Sequence, residues 1–344
     1  MDIRDTTERI WREQRPILAL AATQLVAGGL WLSWYEKPWH LRFYYGFLWR
    51  TWFVLTVLWV FWQYLRGPKR FWRILTPERV AGALIAVALV APFQSTFQSL
   101  KRAIPAFTWD ETLSRLDIAL HGSPPWTWWV PSDWALFWTD KVYELWFFLI
   151  VAFVVWVSWT GRRELRSRAL VATMLLWILG GSVAAWAFSS GGPIFYGRIV
   201  GEPNPYADVT DRITSAVLFV NGAQLKLWTL RQTGEFHPFS GISAMPSMHV
   251  AMAAMIAIAV WPRSRLAGVV CWIYAGCVQI GSVVLAWHYA IDGYAGALLA
   301  MMCWHAAPKY LALFNRQPQQ TARAYADQPA SDQRVMARVD KDYA

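Results

Sequence analysis

The sequence predicts an all-α, polytopic membrane protein with about eight transmembrane helices. Of its 344 residues, 56% are hydrophobic and only 16% are charged, whereas soluble domains contain about 25% charged residues. The chain contains 25 Trp, and Trp and Tyr concentrate where a membrane meets water. Several apolar runs approach the ~20 residues that a helix needs to cross a bilayer. Together these features indicate one membrane domain with short polar ends.

The charge distribution and the cysteines argue against a nucleic-acid-binding protein, a cysteine metal site and a disulfide framework. The formal net charge is +10, but the basic residues cluster between the apolar runs and form no basic face or nucleic-acid-binding motif, so no nucleic-acid partner is expected. The three cysteines, Cys271, Cys277 and Cys303, lie inside apolar runs. Their spacing fits no metal site, and an odd number does not indicate a disulfide framework. We interpret them as small core residues.

The first five predicted spans follow a polar N-terminal segment. Residues 1–15 have mixed charge and lack the layout of a cleavable signal peptide, so we interpret them as a cytoplasmic segment. Pro16 suits the first position of a helix, where its missing N–H costs nothing. The predicted limits of these spans are 16–34, 43–65, 77–100, 141–159 and 169–188.

The connection 101–140 contains a second kind of helix. Leucines recur at i, i+3 and i+7 within residues 110–122, a spacing that predicts a short amphipathic helix lying on the membrane surface. Gly122 is placed to cap it. Asp117 and His121 lie one helical turn apart, and two interpretations stay open: a functional pair or a solvated helix face.

The longest connection, residues 189–241, is too long for an ordinary loop in a compact domain and is therefore expected to be functional or disordered. Its middle, residues 211–230, is predicted to be helical. Because polar residues interrupt it, we expect that helix to lie on the surface or to be re-entrant.

The remaining spans complete the membrane domain, residues 16–314. The sixth is predicted at 245–261, and Pro262 stops it. Residues 266–307 are long enough for two further spans, so the turn between them must fall near 286–291. Residues 315–344 are polar without apolar periodicity, which predicts a disordered cytoplasmic tail.

The distribution of Lys and Arg predicts the orientation. Basic residues concentrate at the termini and in the short connections on the same side, which places both termini in the cytoplasm. The long connection, the start of the sixth span and the turn near 286–291 are then extracytoplasmic. This brings His249, His288 and Asp292 to the same membrane surface, although the histidines were not used in the assignment.

These residue types suit phosphoryl transfer. Asp292, four residues after His288, can orient its ring and raise its basicity, and a histidine held in this way is a competent nucleophile or base. His249 lies near a helix N-terminus, which favours a bound anion, and Ser247 adds a hydroxyl donor. A second histidine can protonate a leaving group. The alternative interpretation is a set of polar residues that only satisfy each other.

Two motifs carry a family resemblance. Pro246-Ser247-Met248-His249 and His288-Tyr289-Ala290-Ile291-Asp292 resemble the second and third motifs of the type 2 phosphatidic acid phosphatase superfamily. The family patterns are Pro-Ser-Gly-His and Ser-Arg-(five residues)-His-(three residues)-Asp. The resemblance covers residues 185–305.

The resemblance implies roles for the three residues in a six-helix catalytic core. His288 would be the nucleophile that forms a phosphohistidine, Asp292 would orient it, and His249 would protonate the leaving alcohol. No metal and no other cofactor are implied. The expected partners are membrane lipids, either a phospholipid or an isoprenoid or sphingoid phosphate.

The sequence departs from the family at three places. Met248 replaces the glycine, Gly281 and Ser282 stand where the family has Ser and Arg, and no Lys-(six residues)-Arg-Pro first motif is found. Loss of the arginines beside a retained His–His–Asp set is similar to the branch of fungal inositol phosphorylceramide synthase and sphingomyelin synthase, which moves a phospho-headgroup between lipids. Residues 191–198 occupy the place of that branch's proline-rich segment, and residues 110–126 resemble a segment of bacterial relatives.

A phosphate site still needs positive charge. Arg198, Lys226 and Arg231 in the long connection are candidates, with Arg198 favoured because glycines flank its segment; the alternative for each is a solvated loop charge. His237 is a further candidate to line the pocket.

The lead hypothesis is a lipid phosphotransferase, inositolphosphotransferase-like, that acts at the extracytoplasmic face. The alternative is a lipid phosphate phosphatase with the same site. A transporter would place ionisable residues and broken helices at mid-bilayer, but apart from Arg50 the centres of the spans are apolar. A catalytically inactive scaffold is expected only if the three residues do not converge.

Overall fold

The predicted all-α class is confirmed. The computed structural model describes residues 3–38, 47–67, 69, 72, 75–216, 218–235, 237 and 240–315, and within them it contains helices and no β-strand. The predicted tail, 315–344, lies outside the described residues except for its first residue.

The chain forms a bundle of long helices joined by shorter ones. The helices are α1 (Ile3–Trp34), α2 (Phe47–Leu65), α3 (Pro77–Arg102), α4 (Asp110–His121), α5 (Asp133–Glu144), α6 (Trp146–Trp159), α7 (Arg163–Leu176), α8 (Ala207–Ser215), α9 (Phe219–Thr233), α10 (Met248–Val260), α11 (Arg265–Val284) and α12 (Ala290–Asn315). Beyond α7 the chain continues as a π-helix, Trp177–Ala184, and a last turn, Ala185–Ala187. Short helical turns occur at Pro125–Trp128, Pro193–Phe195 and Tyr196–Ile199.

Five helical segments are long and apolar enough to cross a membrane, judged by length and composition over the described residues. They are Arg4–Trp34, Asp133–Trp159, Arg163–Ala187, Arg265–Val284 and Ala290–Phe314. Trp52–Leu65 and Met248–Val260 are shorter apolar helices. The chain is therefore an integral membrane protein, and the full count of about eight spans stays a prediction.

The polar N-terminal segment is not separate from the first span. Helix α1 begins at Ile3 and passes through Pro16 without a break. The polar first part of α1 contacts the bundle through Glu13. The carboxylate of Glu13 accepts a hydrogen bond of 2.6 Å from Nε of Arg166 in α7. Both side chains are buried, and a buried charge needs such a partner.

Helix α10 lies at the centre of the bundle and packs against α6, α7, α11 and α12. Its sequence is rich in alanine, and Ala251, Ala254 and Ala257 are fully buried. Small side chains allow helix backbones to approach closely. The approach is closest at Gly296 of α12, where a Cβ atom would lie 2.4 Å from the carbonyl oxygen of Ser247. This contact joins the starts of the two helices that carry the predicted motifs.

The predicted amphipathic helix is α4, and Gly122 ends it in the left-handed conformation (φ 80°) as predicted. Its buried face is mixed: Asp110 and Asp117 are buried together with Leu113, whereas Leu116 and Leu120 are exposed. The interpretation of Asp117 as part of a solvated face is therefore wrong.

The long connection 189–241 is largely helical. The predicted helical middle is confirmed as α8 and α9, with a break between Ser215 and Phe219. Asp140 of α5 holds the start of α9, because its carboxylate accepts hydrogen bonds from the backbone N–H groups of Phe219 and Val220 at 2.9 and 3.1 Å. This connection covers the end of the bundle at which α10 and α12 begin.

Candidate active site

His288 and Asp292 belong to the tight connection between α11 and α12. The N–H of His288 donates to the carbonyl oxygen of Ser282 at 3.0 Å. The N–H of Tyr289 donates to Oδ2 of Asp292 at 3.0 Å, so the carboxylate caps the first turn of α12. Both site side chains are buried. The predicted turn near 286–291 is confirmed, since α11 ends at Val284 and α12 begins at Ala290.

The hydrogen bonds of His288 identify which ring nitrogen carries the proton. Its Nδ1 lies 2.9 Å from the carbonyl oxygen of Ala244 and 3.5 Å from Oδ2 of Asp292. A carbonyl oxygen can only accept, so Nδ1 carries the proton and the lone pair of the neutral ring is on Nε2. Asp292 also keeps its second oxygen, Oδ1, without a hydrogen-bond partner within the described part of the chain.

His249 lies in the first turn of α10 and is held by aromatic rings. Its ring stacks on Tyr143 at a centroid distance of 4.6 Å and lies 4.2 Å from the ring of Trp146. The indole N–H of Trp146 donates to the backbone oxygen of His249 at 2.9 Å. The centroids of the His249 and His288 rings are 5.9 Å apart. The three predicted catalytic residues therefore converge.

Ser247 has a different position from the one expected for a phosphate ligand. It is fully buried, and its hydroxyl caps α10 by accepting from the N–H of Val250 at 3.4 Å. Its own N–H donates to the carbonyl oxygen of Asp292 at 2.9 Å. Ser247 thus ties the two motifs together, while its predicted contact with phosphate stays a prediction.

The two histidines share a cavity of about 900 Å³. Apolar side chains form most of its wall, and the polar ones are concentrated at the end with His249 and His288. Lys226 and His237 line that end, with Nζ of Lys226 2.9 Å from Nε2 of His237. His237, a candidate from the sequence, therefore lies in the cavity wall.

The other two predicted cations lie elsewhere. Arg198 is exposed, with its guanidinium carbon 5.4 Å from the ring centroid of Trp228. It does not line the cavity in the part of the protein described. Arg231 donates to the backbone oxygens of Ile104 and Pro105 at 3.1 and 3.0 Å. Its role there is to hold the end of the 101–109 segment.

Lys101 is a cation that the sequence analysis passed over. It lines the cavity together with both histidines, and its Nζ lies 5.9 Å from the ring centroid of Phe97. Its stem packs on the backbone at Gly241, where a Cβ atom would come within 2.7 Å. No ion pair of Lys101 is found among the residues that the structure covers. The signal in the sequence was the basic pair 101–102 at the end of the third span.

Asp110 and Asp117 were also missed as components of the site. Asp110 accepts hydrogen bonds of 2.8 Å from the N–H groups of Gly191 and Gly192 and from the hydroxyl of Tyr289. Gly192 has φ 91°, and a Cβ there would lie 2.4 Å from the backbone oxygen of Trp287, so only glycine fits.

Asp117 holds the start of α12 in the same way. Its carboxylate oxygens accept from the N–H groups of Ala290 and Ile291 at 3.2 and 3.0 Å. Burial raises the pKa of both Asp110 and Asp117, and the hydrogen bonds that each carboxylate accepts oppose this shift. Two buried carboxylates on one face of α4 thus position the loop that carries His288.

The positions of the missing family arginines are filled by packing. Ser282 is buried, and its hydroxyl donates to the carbonyl oxygen of Gln279 at 2.7 Å. A Cβ at Gly281 would lie 3.3 Å from the ring of Tyr143. In the regions with coordinates described, no three His, Cys, Asp or Glu side chains are grouped as metal ligands.

The sequence model of the PAP2 superfamily matches residues 111–306, more than half of the chain. The chain belongs to the PAP2 superfamily. Neither the curated proteins nor the solved structures gave a match. Membership in the PAP2 superfamily indicates phosphate-containing lipids as the general substrate class. The match begins within α4, so the PAP2 region contains the histidines and Asp292, whereas α1–α3 precede it.

Proposed function

We propose that this PAP2 protein is a lipid phosphotransferase that moves a phospho-headgroup from one lipid to another through a phosphohistidine on His288. The observation that supports this most directly is the pair of histidine rings, 5.9 Å apart, at the polar end of one cavity. The nucleophile must reach the phosphorus, and the separate proton donor must reach the leaving oxygen on the opposite side of it.

The reaction would have two balanced steps. Nε2 of His288 attacks the phosphorus of the donor lipid, and the bond between phosphorus and the leaving alcohol oxygen breaks as His249 gives that oxygen a proton. In the second step an acceptor alcohol attacks the phosphohistidine while His249 removes its proton. The bond between phosphorus and Nε2 then breaks and restores both histidines.

The surroundings of His288 suit the first step. Its ring becomes positively charged when Nε2 bonds to phosphorus. The carbonyl oxygen of Ala244 and the carboxylate of Asp292, both near Nδ1, stabilise that charge. Lys101 and Lys226 line the same cavity as the two histidines and supply positive charge for the phosphate.

Transfer to an alcohol is favoured over transfer to water by two features. The place of a family arginine is taken by buried Ser282, as in the inositolphosphotransferase-like branch that the motifs resemble. The cavity wall is mostly apolar, which suits an acceptor lipid better than bulk water. Hydrolysis is the competing reaction that the assay below detects.

The proposal includes a membrane orientation. With about eight spans and the positive-inside distribution of Lys and Arg, both termini are cytoplasmic and the site opens at the extracytoplasmic surface. Cysteine labelling of single-cysteine variants at position 198 and position 263, with a membrane-impermeant reagent on intact cells, tests this. Labelling at 263 but not at 198 would contradict the orientation.

The activity assay uses purified protein in detergent with labelled phospholipids, with and without inositol or diacylglycerol as acceptor. A new headgroup-bearing lipid that disappears in His288→Ala is the expected result. Free phosphate or free phospho-headgroup instead, also dependent on His288, identifies a hydrolase. No product that depends on His288 overturns the proposed function.

A further inference from the structure

The cavity that contains the histidines extends far into the bundle along α3. Five residues of α3 that line it, Ala86, Leu89, Phe93, Phe97 and Lys101, are spaced three or four apart and form one stripe, and Gln94 and Gln98 lie beside it. At ~1.5 Å per residue, the distance along the helix from Lys101 to Ala86 is about 22 Å. The cavity is therefore a long channel whose polar end contains the candidate active site.

The channel-lining residues on two other sides of the bundle extend over a similar length of helix. On the α5–α6 side the lining runs from Asp140 to Val154, and on the α7 side from Ala185 to Leu170. Each stretch corresponds to about 21 to 22 Å of helix. A bilayer has a hydrocarbon thickness of ~30 Å, so the channel extends through more than half of it.

The deep half of the channel is apolar and is partly built by the N-terminal helices. Leu89 and Ala86 of α3 meet Val151 and Val154 of α6 there, and Ile17 of α1 adds to the wall. Helices α1 and α3 precede the region that the PAP2 model matches. An apolar channel of this depth suits a hydrocarbon chain, whose transfer from water is favourable for each methylene buried.

The part of the channel near Lys101 contains side-chain hydrogen-bond acceptors that have no partners within the described residues. The side-chain oxygens of Gln94 and Gln98 are buried, and neither has a hydrogen-bond partner within the described residues. Gln98 as a whole is 7% exposed. Buried polar atoms are nearly always paired, so orphans of this kind point to a ligand. Along α3 they lie about 10 and 5 Å below Lys101.

We propose that the channel is the binding site of the substrate lipid, with one hydrocarbon chain lying along α3 as far as Ala86. Gln94 and Gln98 accept hydrogen bonds from a hydroxyl or an amide N–H that lies just below the phosphate of that lipid. This rests on the proposed function. It assigns the substrate to lipids with a donor group at that position, such as sphingoid phosphates, and not to isoprenoid phosphates, which have none there.

The chain-length test uses Ala86→Trp, which fills the deep end of the channel. We expect kcat/KM for a long-chain lipid phosphate to fall about tenfold or more, the effect of excluding roughly two methylenes from an apolar site. Activity on the short-chain analogue falls several-fold less than activity on the long-chain lipid, and its retention shows that the variant folds. Leu84→Trp is the matched control, because Leu84 is 61% exposed on the same helix.

The headgroup test uses Gln98→Leu with a sphingoid phosphate and an isoprenoid phosphate of similar length. Loss of one hydrogen bond is expected to lower kcat/KM for the sphingoid phosphate about fivefold, with the isoprenoid phosphate unaffected. Gln63→Leu is the control, since Gln63 is similarly buried on α2 and does not line the channel.

The negative results distinguish failure of the channel assignment, of the polar contact and of the proposed function. Activity that depends on His288 together with an unchanged chain-length profile in Ala86→Trp overturns the channel as the chain site. Equal effects of Gln98→Leu on both phosphates, or a wild-type preference for the isoprenoid phosphate, overturn the polar contact. Absence of any activity that depends on His288 overturns the proposed function itself and this inference with it.

Discussion

Nδ1 of His288 donates to the carbonyl oxygen of Ala244 at 2.9 Å, a contact that joins two segments 44 residues apart. Ala244 lies in the short stretch before α10, and its N–H in turn donates to the carbonyl oxygen of Ser190 at 2.9 Å. The backbone carbonyl of Ala244 is thus sufficient to set the orientation of the imidazole without a carboxylate. Asp292, 3.5 Å from the same nitrogen, adds charge to an orientation that already exists.

Asp292→Asn is therefore expected to lower activity without abolishing it. The amide keeps the size of the side chain, and Ala244 still holds the ring, but the negative charge that stabilises the phosphohistidine is lost. We expect a fall in kcat of about 10- to 100-fold, the usual effect of removing the hydrogen-bonded or charged partner of a functional histidine. Steady-state kinetics beside His288→Ala measure it. Equal losses in both variants would contradict the division of roles.

His249→Gln is expected to slow the step that needs a proton donor. For a lipid phosphate with a poor leaving alcohol, kcat falls about 10²- to 10⁴-fold. An analogue whose leaving group is a nitrophenol needs no proton, so most of its activity is retained. The control is His305→Gln, because His305 is exposed on α12. Similar losses with both substrates would show that His249 has a structural role instead.

Lys101→Ala is expected to weaken phosphate binding. Removing one charge-assisted contact lowers kcat/KM about 10- to 100-fold and raises the inhibition constant of inorganic phosphate by a similar factor. Arg102→Ala is the matched control: Arg102 donates to the backbone oxygen of Gly234 at 2.7 Å and does not line the described cavity. Equal effects of the two substitutions on phosphate inhibition would contradict a specific role for Lys101.

Asp110→Asn tests the positioning of the site and its pH dependence. Burial raises the pKa of Asp110 above the ~3.9 of an unfolded aspartate. The folded protein therefore binds more protons between these two values, and wild-type stability falls relative to Asp110→Asn as the pH rises through that window. Above the pKa of Asp110 in the folded protein, the difference in stability between the wild type and Asp110→Asn is constant. Melting temperatures of the wild type and Asp110→Asn in detergent, from pH 3.5 upward, measure this difference. A wild type that becomes more stable relative to Asp110→Asn as the pH rises would contradict the prediction.

Much of the candidate site could be predicted because its determinants are local. The two motifs each fit within five residues, and the spacing of apolar runs with the distribution of Lys and Arg placed His249 and His288 at one surface. The structure brings their rings to 5.9 Å. The helix cap at Gly122 also follows from neighbouring residues alone, whereas the cap at Ser247 was not predicted.

The parts that sequence reasoning missed depend on distant contacts. Asp110 reaches the hydroxyl of Tyr289 across 179 positions, and no local pattern distinguishes it from a solvated carboxylate. The leucine spacing of α4 predicts its helix but not which side is buried, and Leu120 faces outward at 65% exposure. Lys101 was counted only as a loop charge, since its position beside Gly241 appears only once α3 is packed.

The most direct test of the central claim is to trap the covalent intermediate. Purified protein would be mixed with a labelled donor lipid, quenched within one turnover under alkaline conditions that preserve phosphohistidine, digested and analysed by mass spectrometry. The account predicts the mass of the phospho-headgroup on the peptide that contains His288, and its loss in His288→Ala. Turnover that proceeds with the label on another residue, or with no covalent label, would contradict it.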